Sequence, residues 1–475
     1  MSWVRPDTLN KLPRQVLRRL RIQNFKAWQD TRSIELAPLT VLFGSNSSGK
    51  SSINHLLMML KQTVRSPDRN SVFDFGDDNA AVRLGSFREA IFGHDMDREL
   101  RLETEWQLGS TLNVRDPRTA RRYGGDRLMF EAAARQSPRS RVVQSEGFEY
   151  ALANPSGQAV SVRFSRDERR RDRWRLEADD YDLVRNPGRP WELPKPVQFY
   201  GFPQEASLYY QNALFLSDLE LALEGLLNDL SYLGPLRSRP ERLYSWVGGE
   251  PEDVGWQGQN TIQAILGASD RRLNWKPKSP RLPFQEVIAR WLQRMGLVHS
   301  FSVQPIAPDR DEYEVRVRTS KRAEEVKLTD VGFGISQVLP VIVQAFYAPP
   351  NSTILMEQPE IHLHPSAQAS LADVMIAAVT ARERSEPRNV QLLVESHSEH
   401  LLRRLQRKIA EEEISESDVA LYFCYAGPHG SEIDRLEVDT YGDILNWPPD
   451  FFGDELEDVS VQAEVGMQRK LRVAG

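Results

Sequence analysis

The sequence predicts an α/β fold in which a mostly parallel sheet is assembled from both ends of the chain, with an antiparallel β lobe and a helical lobe inserted between. Three observations carry this prediction. In "LTVLFGSNSSGKSSINHLLMMLKQ" (39–62) an apolar stretch meets a glycine-bearing turn, and then Ile53, Leu56, Leu57 and Leu60 fall at helical spacing. The strand-then-helix pattern returns late in the chain. Thr353 to Met356 precedes a helix from Pro365 to Val379, and Leu392, Leu393 and Val394 precede a helix marked by Leu401, Leu405 and Ile409. Between these ends, residues 98–176 alternate with period two in "RELRLETEW", "RLMFEAA", "FEYALA" and "AVSVRFSR", broken by Gly, Pro and Asn.

The other elements follow in order. "LRRLRIQNFKAW" (17–28) sets Leu20 and Ile22 against Arg19, Arg21 and Gln23, which reads as an edge strand with one wet side. "NPGRPWELPKPVQFYGFP" (186–203) is a proline-rich traverse, and 207–230 reads as a helix or two. Residues 281–296 form another helix, with Phe284, Val287, Ile288 and Leu292 spaced for burial, before "FSVQPI" and "YEVRVRTS" return to strand. The expected division is 15–97 and 301–415 as two parts of one core, 98–180 as the β lobe, 181–300 as linker and helical insertion, and 416–475 as a small C-terminal segment.

Bulk properties narrow the classes. A chain of 475 residues exceeds one ordinary domain, and 40% apolar with 27% charged residues fills a core under a soluble surface. No run of 18 apolar residues occurs and the first twenty residues are charged, so no membrane partner is expected and the location expected is cytoplasmic. Cys424 is alone, which excludes an internal disulfide and a cysteine zinc cluster. The net charge of −6 gives no overall attraction to nucleic acid. A DNA contact would need the arginines between Arg115 and Arg175, which the acids Asp167, Glu168 and Asp172 partly neutralise. The acidic run Asp454, Glu455, Glu457 and Asp458 reads as solvated surface.

Residues 44–51 fit G-x-x-x-x-G-K-[ST] in the strand–turn–helix setting that gives the pattern its chemistry. Gly44, Asn46 and Gly49 let backbone N–H groups close around a β-phosphate, and the helix start at Ser51 and Ser52 adds unpaired donors and a positive dipole end. Lys50 would reach the β/γ oxygens and Ser51 would ligate Mg²⁺, so ATP and Mg²⁺ are the cofactors expected.

Hydrolysis needs acidic groups as well. "STILMEQPEIHLHP" (352–365) places Glu357 at the C-terminal end of a buried strand, where a carboxylate can meet the metal. Gln358 can orient water but cannot take its proton; Glu360, beyond Pro359, is favoured for that role. His362 and His364 lack metal spacing and read as shaping a loop at a subunit contact. His397 is delivered to the same sheet edge, to donate to a γ-phosphate or hold water. "VGFGISQVLP" (331–340) is a second phosphate-seeking helix start without a lysine, through Gly334, Ser336 and Gln337. If both helix starts serve one nucleotide, two chains must meet head to tail. Arg237 is a candidate phosphate or interface arginine.

As a set, "LRIQNFKAW", "LFGSNSSGKSS", "VGFGISQVLP", "ILMEQPEIHLHP" and "VESHSEHLL" resemble the ABC-type ATPases of the SMC/RecF/OLD group, and within it the AAA-like ATPases with a DUF3696 C-terminal segment. "SYLGPLRSRPERLY" (231–244) and "GDILNWPPDFFGDE" (442–455) look like that subgroup too. The resemblance implies a P-loop ABC-type head with Lys50 and Ser51 as the Walker A pair, Glu357 in place of the Walker B aspartate, Gln358 where a catalytic glutamate usually stands, and His397 as switch histidine. It makes "GFGISQ" the signature loop that completes the partner's site, and Gln62 the nearest match to a Q-loop. It implies a homodimeric or higher-order ATP switch, sensing DNA or gating a nuclease or other effector in anti-phage defence. Departures are Gln358, the lack of a long heptad run, and a tail without the acidic clusters of a Toprim nuclease. Two rivals stand beside this reading: a nucleotide-clamped scaffold with negligible hydrolysis, and a RecF-like DNA repair ATPase.

Overall fold

Five apolar segments far apart in sequence form one parallel sheet. The strands lie in the order Leu230–Leu233, Thr353–Glu357, Gln391–Glu395, Leu39–Gly44 and Val419–Gly427, with Gly430–Leu436 added antiparallel at the edge. The computed structural model describes residues 15–448 except 138–139, 168–169, 171–172, 189–191, 275–278 and 385, together with residues 461 and 465. The acidic run Asp454, Glu455, Glu457 and Asp458 lies outside the described residues.

Alternation along each strand sorts its side chains to two apolar layers. Leu42, Leu355 and Leu393 pack with the helix Lys50–Arg65, the helix Phe215–Asn228 and the large antiparallel sheet. Leu39, Val41, Phe43, Ile354, Met356, Leu392 and Val394 pack on the other side, with the helices Phe333–Tyr347, Pro365–Thr380 and Glu399–Ala410. Strand residues apolar on both faces are what a sheet covered on both sides requires.

The second sheet is eight-stranded and antiparallel. It includes Leu100–Arg115, Arg122–Gln136, Val143–Asn154, Gly157–Arg166 and Trp174–Asp179 as expected for a β lobe, and also Val16–Phe25, Trp28–Asp30 and Ile34–Glu35. The reading of 17–28 as an edge strand is therefore corrected. Val16–Phe25 is flanked by Trp28–Asp30 and Ile34–Glu35 on one side and by Leu100–Arg115 on the other. Its wet-face arginines tolerate an internal position because carboxylates face them across the ladder: Arg19 meets Glu105, and Arg21 meets Glu103 and Asp30.

The insertion carries two helices in the region read as a helix or two, Gln204–Tyr209 and Phe215–Asn228, and then Phe284–Arg294. Leu230–Leu233 leaves the insertion to become the outermost strand of the central sheet. Ser300–Pro305 and Glu312–Arg318 pair in a small separate sheet. Among the described residues no helix is long and apolar enough to cross a membrane.

Candidate functional site

The phosphate loop sits at the carboxyl end of Leu39–Gly44, and close neighbours require its glycines. Gly44 has φ 143°, and a Cβ there would fall 2.0 Å from the Cys424 carbonyl of the adjoining strand. Gly49 has φ 85°, and its Cβ would meet Ser431 Oγ at 2.8 Å and Trp28 Nε1 at 2.9 Å. Trp28, fully buried, donates from Nε1 to the Gly49 carbonyl at 2.9 Å. Lys50 is buried, and its ammonium turns onto its own loop, reaching the Gly44 carbonyl at 3.1 Å, the Ser45 carbonyl at 2.7 Å and Ser48 Oγ at 3.3 Å. Burial lowers its pKa, opposed by the Glu395 carboxylate. Such a cradle of backbone and ammonium donors at a helix start fits a phosphate group. A cavity of about 370 Å³ opens there, lined by residues 46–52, including Asn46, Gly49 and Ser52, and by Lys26, Gln358, Glu395 and His397.

Sequence reasoning missed the carboxylate that touches Ser51. The Ser51 hydroxyl donates to Glu395 Oε2 at 2.6 Å. Strand order explains the miss: Gln391–Glu395 lies between the phosphate-loop strand and Thr353–Glu357, so Glu357 stands one strand further out, in register with Glu395. The available signal was a lone polar residue ending a buried strand directly before Ser396 and His397. Glu395 is 3% exposed, and burial, reinforced by the charge of Glu357, pushes its pKa up to about 7. Glu357 is equally buried; its Oε1 lies 3.4 Å from His55 Nε2 and has no hydrogen-bond partner. A buried carboxylate on a serine hydroxyl, with the Glu357 carboxylate on the neighbouring strand behind it, is a donor set suited to a hard divalent cation such as Mg²⁺, although Glu357 itself does not line the cavity.

Gln358, with φ 44°, lines the cavity and is anchored by its backbone N–H on the Glu395 carbonyl at 2.9 Å. Glu360, favoured from sequence as the proton acceptor, is not among the cavity's lining residues. It is 7% exposed, and its Oε1 accepts the His397 backbone N–H at 2.6 Å. The turn after Pro359 folds Glu360 inward, where it fixes the position of His397; burial raises its pKa. The His397 ring does line the cavity, bonded to the Gly44 carbonyl, with Nε2 4.0 Å from Glu395 Oε1. Burial lowers its pKa, which favours a neutral imidazole. Arg237 is neither exposed nor aimed at the cavity: it is 8% exposed and donates to the carbonyls of Glu357 and Gln358 at 3.1 and 3.4 Å. Burial lowers it to about 10.

Gln62 is placed elsewhere. Twelve residues of helix put it roughly 18 Å beyond Lys50, where its amide pairs with both the N–H and the carbonyl of Val82. Gly334, Ser336 and Gln337 fall in the first turns of Phe333–Tyr347 and do not line this chain's cavity. Ser336 Oγ is spent on the Phe333 carbonyl at 2.8 Å and Gln337 is buried, while Gly332 and Phe333 are exposed. His362 packs edge-on to Phe333 at 5.2 Å, and His364 caps Pro365–Thr380; among the described residues no cluster of three metal-ligating groups occurs. In the arginine-rich lobe, Arg127, Arg135, Arg163, Arg166, Arg173 and Arg175 are paired with carboxylates, while Arg115, Arg118, Arg121 and Arg122 of one hairpin, and Arg141 and Arg170, are exposed and have no ion pair among the described residues.

Residues 39–403 match the family "AAA domain, putative AbiEii toxin, Type IV TA system" (AAA_21), and residues 414–462 match "Protein of unknown function (DUF3696)". No curated protein matches the chain. Among solved structures it is similar to the SMC head domain from Thermotoga maritima at 11% identity and TM-score 0.36, over 89% of this chain and 99% of that one. It is also similar to an Smc head with an extended coiled coil bound to the C-terminal domain of ScpA, derived from Pyrococcus furiosus, at 9% identity and TM-score 0.42, over 89% and 96%. A third is the Smc head bound to the C-winged helix domain of ScpA, at 10% identity and TM-score 0.39, over 89% and 98%. The family match takes in the phosphate loop and the two late strands that end in Glu357 and Glu395, and the protein belongs to the AAA_21 family of ATPase domains, with a DUF3696 segment behind it.

Proposed function

We propose that the chain binds ATP with Mg²⁺ at the phosphate loop and hydrolyses it slowly as a homodimeric switch that gates an effector protein. The observation that carries the reading is the convergence of Lys50, the Ser51–Glu395 hydrogen bond and a cavity-lining His397 on one sheet edge. Ser51 and Glu395 would hold the metal, with Glu357 behind them; bound Mg²⁺ would supply Lewis-acid polarisation of the terminal phosphate. Lys50 would exchange its loop carbonyls for β- and γ-oxygens. His397, neutral and held by Glu360 through its backbone, would donate to the terminal phosphate or hold the attacking water. Gln358 would orient water without accepting its proton, which is why turnover is read as slow and raised by a partner.

The effector, a nuclease or similar protein in anti-phage defence, rests on the family resemblance alone. For DNA, the ion pairs of the lobe favour a solvated face, and a duplex contact would centre on the hairpin bearing Arg115, Arg118, Arg121 and Arg122. The test is phosphate release, nucleotide binding and sedimentation on one preparation. ATP-dependent dimerisation with slow release, accelerated by about tenfold or more in Gln358→Glu, supports the switch. Tight ATP retention with no release in either protein would favour the scaffold, and absence of nucleotide binding would overturn the reading.

A further inference from the structure

The arginine-rich hairpin is joined to an exposed apolar surface that the nucleotide site does not use. Val114 and Tyr123 are buried opposite each other on the ladder, so the next pair, Arg115 and Arg122, faces outward. Like charges directly opposite on a ladder are destabilising. Arg118 and Arg121 add two more exposed guanidiniums. The one acid of the turn does not offset them. Asp116 is 4% exposed, and its carboxylate accepts the Arg118 backbone N–H at 3.0 Å, the Thr119 hydroxyl at 2.6 Å and the Asn212 amide at 3.4 Å.

Asn212 belongs to the helical insertion, so this bond fixes the hairpin tip beside the start of Phe215–Asn228. Aromatic contacts do the same: Tyr123 packs on Tyr181 at 5.4 Å, and Tyr181 on Phe215 at 4.7 Å. Around Asn212 the chain leaves large apolar side chains in water. Leu208 is 61% exposed, Leu214 76%, and Leu221, two turns along the same helix face, 64%. Arg185 bridges to Tyr210 through its backbone and stacks its guanidinium on that ring at 5.8 Å, as Arg121 does on Tyr123 at 5.0 Å. Asp182 and Asp218 are exposed acids beside this surface, outnumbered by the five arginines, none of which has an ion pair among the described residues.

Exposed leucines rimmed by cations mark a binding surface. A nucleic-acid backbone would engage the arginines and leave the leucines in water. Guanidiniums held on tyrosine faces are set for bidentate bonds to carboxylates, and the leucines give apolar side chains a place beside them. We propose that the hairpin tip and the start of Phe215–Asn228 form one docking surface for an acidic segment of a partner protein, its carboxylates on the arginines and its apolar side chains on Leu208 and Leu214. The inference rests on the reading that the chain acts through a partner protein, and it gives that partner a place and a chemistry. The surface shares no residue with the nucleotide cavity.

The experiment titrates three fluorescent probes onto the full chain at one salt concentration: a helical peptide with a glutamate-rich and a leucine-rich face, a short DNA duplex, and phosphatidylcholine vesicles with and without phosphatidylserine. The peptide is expected to bind more tightly than the duplex or either vesicle. The double variant Arg118→Glu/Arg122→Glu and the single variant Leu214→Gln should each weaken it by about tenfold or more, with ATP affinity and melting unchanged. Arg118→Gln/Arg122→Gln replaces the double reversal if that protein does not fold. In the native host, a photoreactive side chain in place of Leu208 should capture a protein segment of net negative charge bearing apolar residues, and the double variant should lose it. No peptide binding, peptide binding within twofold of wild type in either folded variant, tighter binding of the duplex or the anionic vesicles, or failure to capture such a segment from another protein would overturn the proposal. A wild type that binds the peptide but no nucleotide sinks the ATP switch and leaves this surface standing; one that binds nucleotide but neither peptide nor acidic partner does the reverse.

Discussion

Two helices of this chain begin on glycine-rich turns, and they differ in how complete they are. Lys50–Arg65 starts from a loop braced by Trp28 and Ser431, carries a buried lysine, and faces Glu395 through Ser51. Phe333–Tyr347 starts with Gly332 and a half-exposed Phe333, has no lysine, and packs on His362. Both offer the same unpaired N–H groups and the same positive dipole end. Only the first is surrounded by the side chains that make such an end a nucleotide site. The second lies at the surface, which is where a terminus that completes a neighbour's site belongs.

The sharpest way to break this comparison is to disable each terminus separately. Lys50→Ala should lower ATP affinity by about a hundredfold. Gly332→Asp should leave binding to one copy within twofold, because φ at 332 is −57°, an added Cβ meets nothing within 4 Å, and aspartate is a good cap. Its charge should nonetheless abolish ATP-driven association in sedimentation, since it would face the partner's nucleotide.

Next in size is the metal side. Glu395→Gln retains an acceptor for the Ser51 hydroxyl but removes the charge, and it should weaken Mg²⁺-dependent nucleotide binding on the order of ten- to hundredfold. Glu357→Gln should cost less. Mn²⁺ titration by electron paramagnetic resonance separates the two, and a larger loss in Glu357→Gln would return the metal to the outer strand.

This is also where the limits of the sequence are clearest. The strand–turn–helix units, the β lobe and the position of His397 follow from periodicity and turn residues, because local spacing determines them. Which carboxylate meets Ser51 depends on strand order, a long-range property, and Gln391–Glu395 inserts between two strands more than three hundred residues apart. The placement of Glu360 is illegible for a related reason: the turn at Gln358, whose φ is 44°, sends the next carboxylate into the core. The edge position expected for residues 17–28 failed because its acidic partners, Glu103 and Glu105, lie eighty residues later in a strand whose pairing no local pattern reveals.

A smaller effect should appear with pH. Glu395 has its pKa raised to about 7 by burial and by Glu357, so below that value a cation must displace a proton to be ligated there. Mg²⁺-dependent nucleotide affinity should therefore rise between pH 6 and 8, by up to about tenfold per unit on the acid side, and Glu395→Gln should flatten the profile. The ligand-free fold responds with the opposite sign. Between the ordinary carboxylate range and pH 7 the folded chain retains a proton that the unfolded chain has released, so stability falls as pH rises through that window. The smallest effect is expected from Trp28→Phe, which loses the bond to the Gly49 carbonyl and should cost about 1 kcal/mol in chemical unfolding.

Complementation tests the shared site most directly. Lys50→Ala and Gly332→Asp proteins should each release negligible phosphate, and mixed in equal amounts they should recover about a quarter of the wild-type rate, since half of the dimers are mixed and each mixed dimer rebuilds one of its two sites. A mixture as inactive as its components, or Gly332→Asp alone hydrolysing at the wild-type rate as a single copy, would contradict a nucleotide held between two chains.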